Sequence, residues 1–173
     1  WTRMLLLRGG LALSAHRKAR LLDRVRERVP AVTGIEAHYV CFADLARALS
    51  DAERALLGHI VGEADADAAD SATGRLLLVV PRVGTISPWS SKATDIARVC
   101  GLEAVQRLER GTAYTLDGAT ERDLDAAAPL LFDRMTQSAL RQLAAAEQLF
   151  ARAEPGKLER VDLMGRGRNA LLE

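Results

Sequence analysis

Ile35-Glu36-Ala37-His38-Tyr39-Val40-Cys41-Phe42-Ala43-Asp44-Leu45 decides how this chain is folded. Ile35, Ala37, Tyr39 and Cys41 recur at every second position, with Glu36 and His38 between them, which is the pattern of a strand with one face buried. The alternation weakens near Phe42, so a bend or bulge is expected there. Working outward, Met4 to Arg8 reads as a first strand. Ser14 is an N-cap for a helix in which Ala15, Ala19, Leu22, Val25 and Val29 form an apolar stripe opposite Arg and Lys, and Pro30 marks its end. After the central stretch, Ser50-Asp51-Ala52-Glu53 is a capping-box pattern opening a second helix, buried through Leu56, Leu57, Ile60 and Val61.

Gly62 to Gly74 has no apolar periodicity and reads as an exposed loop. The order then repeats. Leu76 to Val80 is a continuous apolar run expected as a central strand, and a helix starting at about Ser90 or Ser91 presents Ile96, Ala97 and Cys100 before Gly101 caps it. Val105 to Leu116 reads as a long strand or a hairpin broken at Gly111. Thr120 opens another helix with Leu124, Ala127, Ala128 and Leu131 along one side. Phe132 to Leu143 scans either as continued helix or as a turn and a short last strand. Pro155-Gly156 separates a tail, Val161 to Glu173, that regains helical character. Strand, helix, strand, helix thus occurs twice, which predicts an α+β fold with a sheet covered on one face by helices, each half open-edged without the other.

Composition excludes several classes of function. Lys+Arg 24 against Asp+Glu 23 gives a net charge of +1, so no overall field gathers nucleic acid or an anionic membrane. Aromatic residues at 4% do not interleave with Arg107, Arg110, Arg122 and Arg134 as a single-strand binding platform requires. No apolar run approaches membrane-spanning length. Cys41 and Cys100 lie in no CxxC or metal spacing and are expected as reduced, buried thiols. The chain starts at Trp1 and stops at Glu173 inside a helical pattern, as expected of a piece of a longer polypeptide.

No complete catalytic group is evident. His16, His38 and His59 have no spacing that unites them, and neither HExxH nor GxSxG is present. Asp65, Asp67 and Asp70 lack the twelve-residue EF-hand pattern, so no metal site is expected. The segment with chemical potential is Arg82 to Asp95. Free N–H groups at a helix start, the hydroxyls of Thr85, Ser87, Ser90, Ser91 and Thr94, and the cations Arg82 and Lys92 can together hold an oxyanion. The same residues equally suit a capped helix in which Ser90 or Ser91 is the cap, Trp89 covers the sheet edge and the cations are solvated.

Several segments of the chain resemble, in order, one enzyme family. They are Arg8-Gly9-Gly10-Leu11-Ala12-Leu13-Ser14, Tyr39-Val40-Cys41-Phe42-Ala43-Asp44-Leu45, Pro81 to Ala97 and Arg107-Leu108-Glu109-Arg110-Gly111. Asp133-Arg134-Met135-Thr136, Ala146-Glu147-Gln148-Leu149-Phe150 and Val161 to Leu171 continue the series. Together they resemble the N-terminal region of the large form of phosphoribosylformylglycinamidine synthase, the formylglycinamide ribonucleotide amidotransferases, over nearly the whole chain. Ile86-Ser87-Pro88-Trp89-Ser90-Ser91-Lys92-Ala93-Thr94-Asp95 is the most specific part. Trp1-Thr2-Arg3 has no counterpart in the family pattern, and Gly10-Leu11 departs from it at a turn.

The resemblance implies a duplicated PurS-like unit over 1–143 with a mainly antiparallel sheet, and the start of a linker over 144–173. It also implies that Gln137 to Leu143 is a closing strand. Enzymes of this kind use ATP, magnesium and ammonia from glutamine to make formylglycinamidine ribonucleotide in the cytoplasm. Their synthetase body and their glutaminase lie in other domains, so this chain alone is expected to hold no cofactor and no catalytic centre. Arg82, Thr85, Ser87, Ser90, Ser91, Lys92 and Thr94 are then expected on the substrate side of the synthetase or at a contact with another domain. A free-standing anion or nucleotide sensor and a purely structural module are the alternatives.

Overall fold

The computed structural model describes residues 3–64, 74–151, 156 and 160–171. Most of the expected Gly62 to Gly74 loop, with Asp65, Asp67 and Asp70, lies outside them, as do Trp1, Thr2 and Pro155. In chain order the elements are β1 (Met4–Leu11), α1 (Ala15–Arg28), β2 (Gly34–Leu45), α2 (Asp51–Val61), β3 (Arg75–Pro81), α3 (Pro88–Val99), β4 (Val105–Asp117), α4 (Glu121–Leu131) and β5 (Gln137–Leu140). A 3-10 helix (Leu143–Phe150) follows, and the tail carries α5 (Leu163–Arg166) and a second 3-10 turn (Gly167–Leu171).

The strands form one sheet in the order β1-β2-β4-β3-β5 with every pairing antiparallel. Each half contributes a strand, a helix and a neighbouring strand, and β2 joins β4 to make the two halves one sheet. The register sets Val40 opposite Gly111 and Cys41 opposite Arg110. Because side chains alternate across a strand, Ile35, Cys41, Leu77, Leu108 and Leu116 share one face, while Val40, Phe42, Leu78 and Val80 share the other.

All four long helices cover the first face. Val25 and Val29 of α1 meet Leu124, Ala127 and Leu131 of α4 over Ile35, Leu77 and Leu116. Leu57 of α2 and Ala93 and Ala97 of α3 pack over Leu7, Cys41, Ala43 and Leu108. The fold is therefore the duplicated β-α-β-α unit with helices on one face. Part of the second face is closed by the 3-10 helix Leu143–Phe150, whose Ala146 and Leu149 seal Phe42, Leu78 and Val80.

Local chemistry starts and stops the helices. Ser14 Oγ accepts the Arg17 N–H, and Ser50 and Glu53 form the reciprocal capping box of α2. The Arg47 guanidinium, with the Ser50 N–H, holds the Glu53 carboxyl down at about 2, so it stays charged at the positive end of α2. Thr120 and Asp123 repeat the box at α4.

Several expectations are corrected. Ala15 and Ala19 are exposed, because α1 turns only its Leu21, Leu22, Val25 side to the sheet. Phe42 lies in regular β2, and the register shift falls between Asp44 and Leu45. The alternation fades at Phe42 because both faces are covered there, not because the chain bends. Gly111 is no break: β4 runs straight through it. A Cβ there would stand 2.8 Å from Val79 O and 2.9 Å from Val80 Cγ1, so glycine lets β3 approach. Only Cys41 is buried; Cys100 is exposed at the end of α3.

Two measurements check this packing. Gly111→Ala is expected to lower unfolding free energy by about 1–3 kcal/mol through overpacking, whereas Gly10→Ala, where a Cβ meets nothing within 4 Å, should leave the urea midpoint unchanged. Burial pushes the Cys41 thiol up to about 11, so at pH 8 a thiol reagent should label Cys100 in the native chain and Cys41 only after denaturation.

Candidate functional site

The Arg82 to Asp95 segment wraps the end of β4 that β3 does not reach. The β3–β4 ladder stops at Val79 opposite Thr112, which leaves the first half of β4 with an open edge on that side. Helix α3 closes it by side chains: Thr94 Oγ1 accepts the Leu108 N–H at 2.9 Å, and the Arg98 guanidinium donates to Gln106 O at 3.2 Å. Strand N–H and C=O groups that would otherwise be orphaned are satisfied by a helix.

The turn into α3 is built on a buried carboxylate. Gly84, at φ +88, lets Thr85 fold back so that its N–H and its hydroxyl both donate to Arg82 O, at 3.0 and 2.6 Å. Ser87 then caps the helix, its Oγ accepting the Ser90 N–H at 3.0 Å, and Pro88 opens the first turn where a missing N–H costs nothing. Behind the cap stands Glu109, with 0% exposure, which accepts from the Ser87 N–H at 3.2 Å and from the Ser87 hydroxyl at 2.9 Å. Arg107 neutralises it at 2.5 Å and also donates to Thr85 O and Leu149 O, with its guanidinium over the Phe150 ring. One carboxylate and one guanidinium thus tie loop, helix start, strand and 3-10 helix together.

This arrangement divides the seven candidate residues. The Ser87 and Thr94 side chains are bonded inward, the Thr85 hydroxyl is used by its own turn, and Ser90 is buried at 1% exposure with its Oγ unpartnered. Arg82, Ser91 and Lys92 face outward. The cap is Ser87, three residues before the expected start at Ser90 or Ser91. That expectation failed because Ser87-Pro88 is itself an N-cap with a first-turn proline. The oxyanion position at the helix start is occupied by the chain's own Glu109.

The buried side of α3 is Ser90, Ala93, Thr94 and Ala97, small and partly polar because it lies against a strand edge. The expected apolar face with Ile96 and Cys100 is corrected accordingly: Ile96 is 52% and Val99 88% exposed. With Ser91, Lys92 and Ile86 they leave a mixed apolar and polar outer face.

A contact that sequence reading passed over lies between the two helix pairs. The Arg110 guanidinium stands 4.3 Å from the Tyr39 ring centroid and 5.0 Å from that of Trp89. Cation–π attraction of this kind holds a cation without a carboxylate. Alternation does place Arg110 and Tyr39 each on a definite face; the missing information was the β2–β4 register that makes the two faces the same.

His16 and His59 are exposed and His38 is half-buried on the opposite face, beside Arg8, Glu36 and Thr115 in a cleft of about 500 Å3. Among the described residues no three His, Cys, Asp or Glu side chains are grouped to hold a metal ion, and no helix is long and apolar enough to cross a membrane.

Residues 38–150, most of the sheet together with the whole Arg82 to Asp95 segment and its Glu109 anchor, match the formylglycinamide ribonucleotide amidotransferase N-terminal family. The chain belongs to this family. Within the stretch Ile86 to Asp95, Ser87, Ser90 and Thr94 face in, and Ile86, Ser91, Lys92 and Asp95 face out.

The network can be tested by stability. Glu109→Ala leaves Arg107 and the α3 cap without their partner and is expected to cost about 3–5 kcal/mol in chemical unfolding. Thr94→Val, which strands one buried N–H, should cost about 1–3 kcal/mol. A change below about 0.5 kcal/mol for Glu109→Ala would mean that the network does not hold the loop.

Proposed function

We propose that residues 1–143 are the PurS-like N-terminal domain, and 144–173 the start of the linker, of an enzyme converting formylglycinamide ribonucleotide, glutamine and ATP to formylglycinamidine ribonucleotide, glutamate, ADP and phosphate. The synthetase and glutaminase centres, with ATP and magnesium, belong to other domains of the same cytoplasmic polypeptide. This chain supplies a rigid wall rather than a reacting group. The reaction activates an amide oxygen and then admits ammonia, and it needs water kept out while ammonia moves between centres. A domain that fixes two catalytic units relative to each other serves that need without a nucleophile or a metal ligand.

The observation that carries this reading is the outer face of α3. Glu109, Ser87 and Thr94 fix the helix from within. Ser91, Lys92, Ile96 and Val99 remain exposed beside Ile86, which is 64% exposed. Exposed aliphatic side chains interleaved with a hydroxyl and a cation on an immobilised helix suit a contact with another domain. The anion-sensor reading lacks comparable support, since a carboxylate stands at the helix start where it would need an anion.

Ser91→Ala/Lys92→Ala in the complete polypeptide is expected to lower synthesis of formylglycinamidine ribonucleotide, or its coupling to glutamine hydrolysis, by about tenfold, the effect of losing one interface hot spot. The glutaminase centre itself should stay intact. Wild-type turnover with wild-type coupling in that variant would sink the role given to this face.

A further inference from the structure

Helix α1 concentrates charge in a way the rest of the chain does not. Elsewhere six arginines have a carboxylate partner, Arg3 with Asp44, Arg47 with Glu53, Arg54 with Glu63, Arg75 with Glu121, Arg107 with Glu109 and Arg141 with Asp125, and the exposed Arg82, Arg122 and Arg134 are scattered singly. On α1, Lys18 pairs with Glu36 and Arg26 donates to the carbonyls of Val32 and Thr33. Arg17, Arg20 and Arg24 are exposed, and their side chains make no ion pair or hydrogen bond with any described residue, Asp23 and Glu27 of the same helix included. Like charges three and four residues apart weaken the helix that carries them. No ion pair or hydrogen bond within the described residues offsets that repulsion for Arg17, Arg20 and Arg24.

Arg17, Arg20 and Arg24 all line one cleft of about 360 Å3, whose other walls include Leu13, Leu130 and Tyr114. Burial pushes the Tyr114 phenol up, so it stays a hydroxyl donor beside the arginines. We propose that this row is a docking strip for an acidic helix or segment of another folded domain of the same polypeptide. The inference rests on the multidomain reading above, but on a different face of the molecule.

The geometry favours a row of carboxylates over a small phosphate. Positions 17, 20 and 24 lie on one side of a helix and span about 10 Å at 1.5 Å per residue. Arg17 lies in the first turn of α1, but its N–H is already accepted by Ser14 Oγ, and Arg20 and Arg24 stand one and two turns further along the helix. Carboxylates spaced by three and four residues on a partner helix match the arginines turn for turn. Each can accept two parallel N–H bonds, while an apolar partner side chain enters against Leu13 and Leu130.

Arginine labelling of the complete polypeptide with phenylglyoxal, read site by site by mass spectrometry, tests this. Arg122 and Arg134, both exposed, serve as internal references. Arg17, Arg20 and Arg24 are expected to react at least about tenfold more slowly than the references, as charge-assisted pairing requires. In Arg20→Glu/Arg24→Glu, Arg17 should become as reactive as the references while theirs stay unchanged. Reference-level labelling of all three in the wild-type polypeptide would overturn the inference. So would protection that appears only when inorganic pyrophosphate is added, which assigns the row to a phosphate ligand. Because the Ser91/Lys92 experiment reads coupling, protected arginines with normal coupling would fail the proposed role of α3 alone, and reactive arginines with impaired coupling would fail this inference alone.

Discussion

The β2–β4 ladder is the constraint on which the rest of the molecule depends. It is the long antiparallel pairing from Gly34 opposite Asp117 to Leu45 opposite Val105, and it is the seam between the two β-α-β halves. Since neither half closes its own sheet, the ladder converts two open edges into a sheet interior. Its register also decides which side chains meet. Cys41 opposite Arg110 puts Tyr39 and Arg110 on the helix face. Phe42 opposite Glu109 puts Glu109 on the other face, level with the 3-10 helix that supplies Phe150. A slip of one residue would exchange these faces and dissolve both the aromatic sandwich and the Ser87–Glu109 cap.

β4 is longer than the strand beside it, and that mismatch explains α3. Where β3 stops, the edge of β4 must be satisfied, and a helix can do so only by side chains. The inner face of α3 is therefore Ser90, Ala93, Thr94 and Ala97 rather than a stripe of leucines. Small residues let the helix approach the edge, and the Thr94 hydroxyl takes the strand N–H. Ala93, Ala97 and Trp89 still pack over the sheet, while the branched residues of α3, Ile96 and Val99, are turned outward.

The same mismatch marks where the sequence is legible and where it is not. Helices α2 and α4 are readable, because capping boxes at Ser50 and Thr120 and the burial of Leu124, Ala127, Ala128 and Leu131 follow local rules. The duplicated order of elements is readable for the same reason. Helix α3 misleads, since hydropathy assigns Ile96 to the core when the partner is assumed to be a sheet face. Gly111 misleads similarly: its cause is a β3 backbone atom distant in sequence, and nothing local distinguishes close approach from a break. β5 is too short for its periodicity to outweigh that of a continued helix. Of the candidate site, the segment was found by its residue types, but the division into inward and outward members depended on Glu109 and Arg107, which lie beyond the segment on β4.

That division bears on what the Arg82 to Asp95 segment contributes. A hydroxyl-rich helix start with a nearby lysine has the composition of an anion site, yet the Thr85, Ser87 and Thr94 hydroxyls are consumed by structure and that of Ser90 is buried. The N–H and the hydroxyl of Ser87 are already given to the Glu109 carboxylate, which stands where an incoming anion would be held. The polar residues left over are few, and they stand among aliphatic ones on a helix clamped at its start by Ser87 and Glu109 and along its length by Thr94. Rigidity of that kind is of little use to a solvated helix, but it lowers the ordering cost of a contact between domains. The interior of the Arg82 to Asp95 segment thus favours surface docking over ligand capture, even though each of its residues taken singly would suit either.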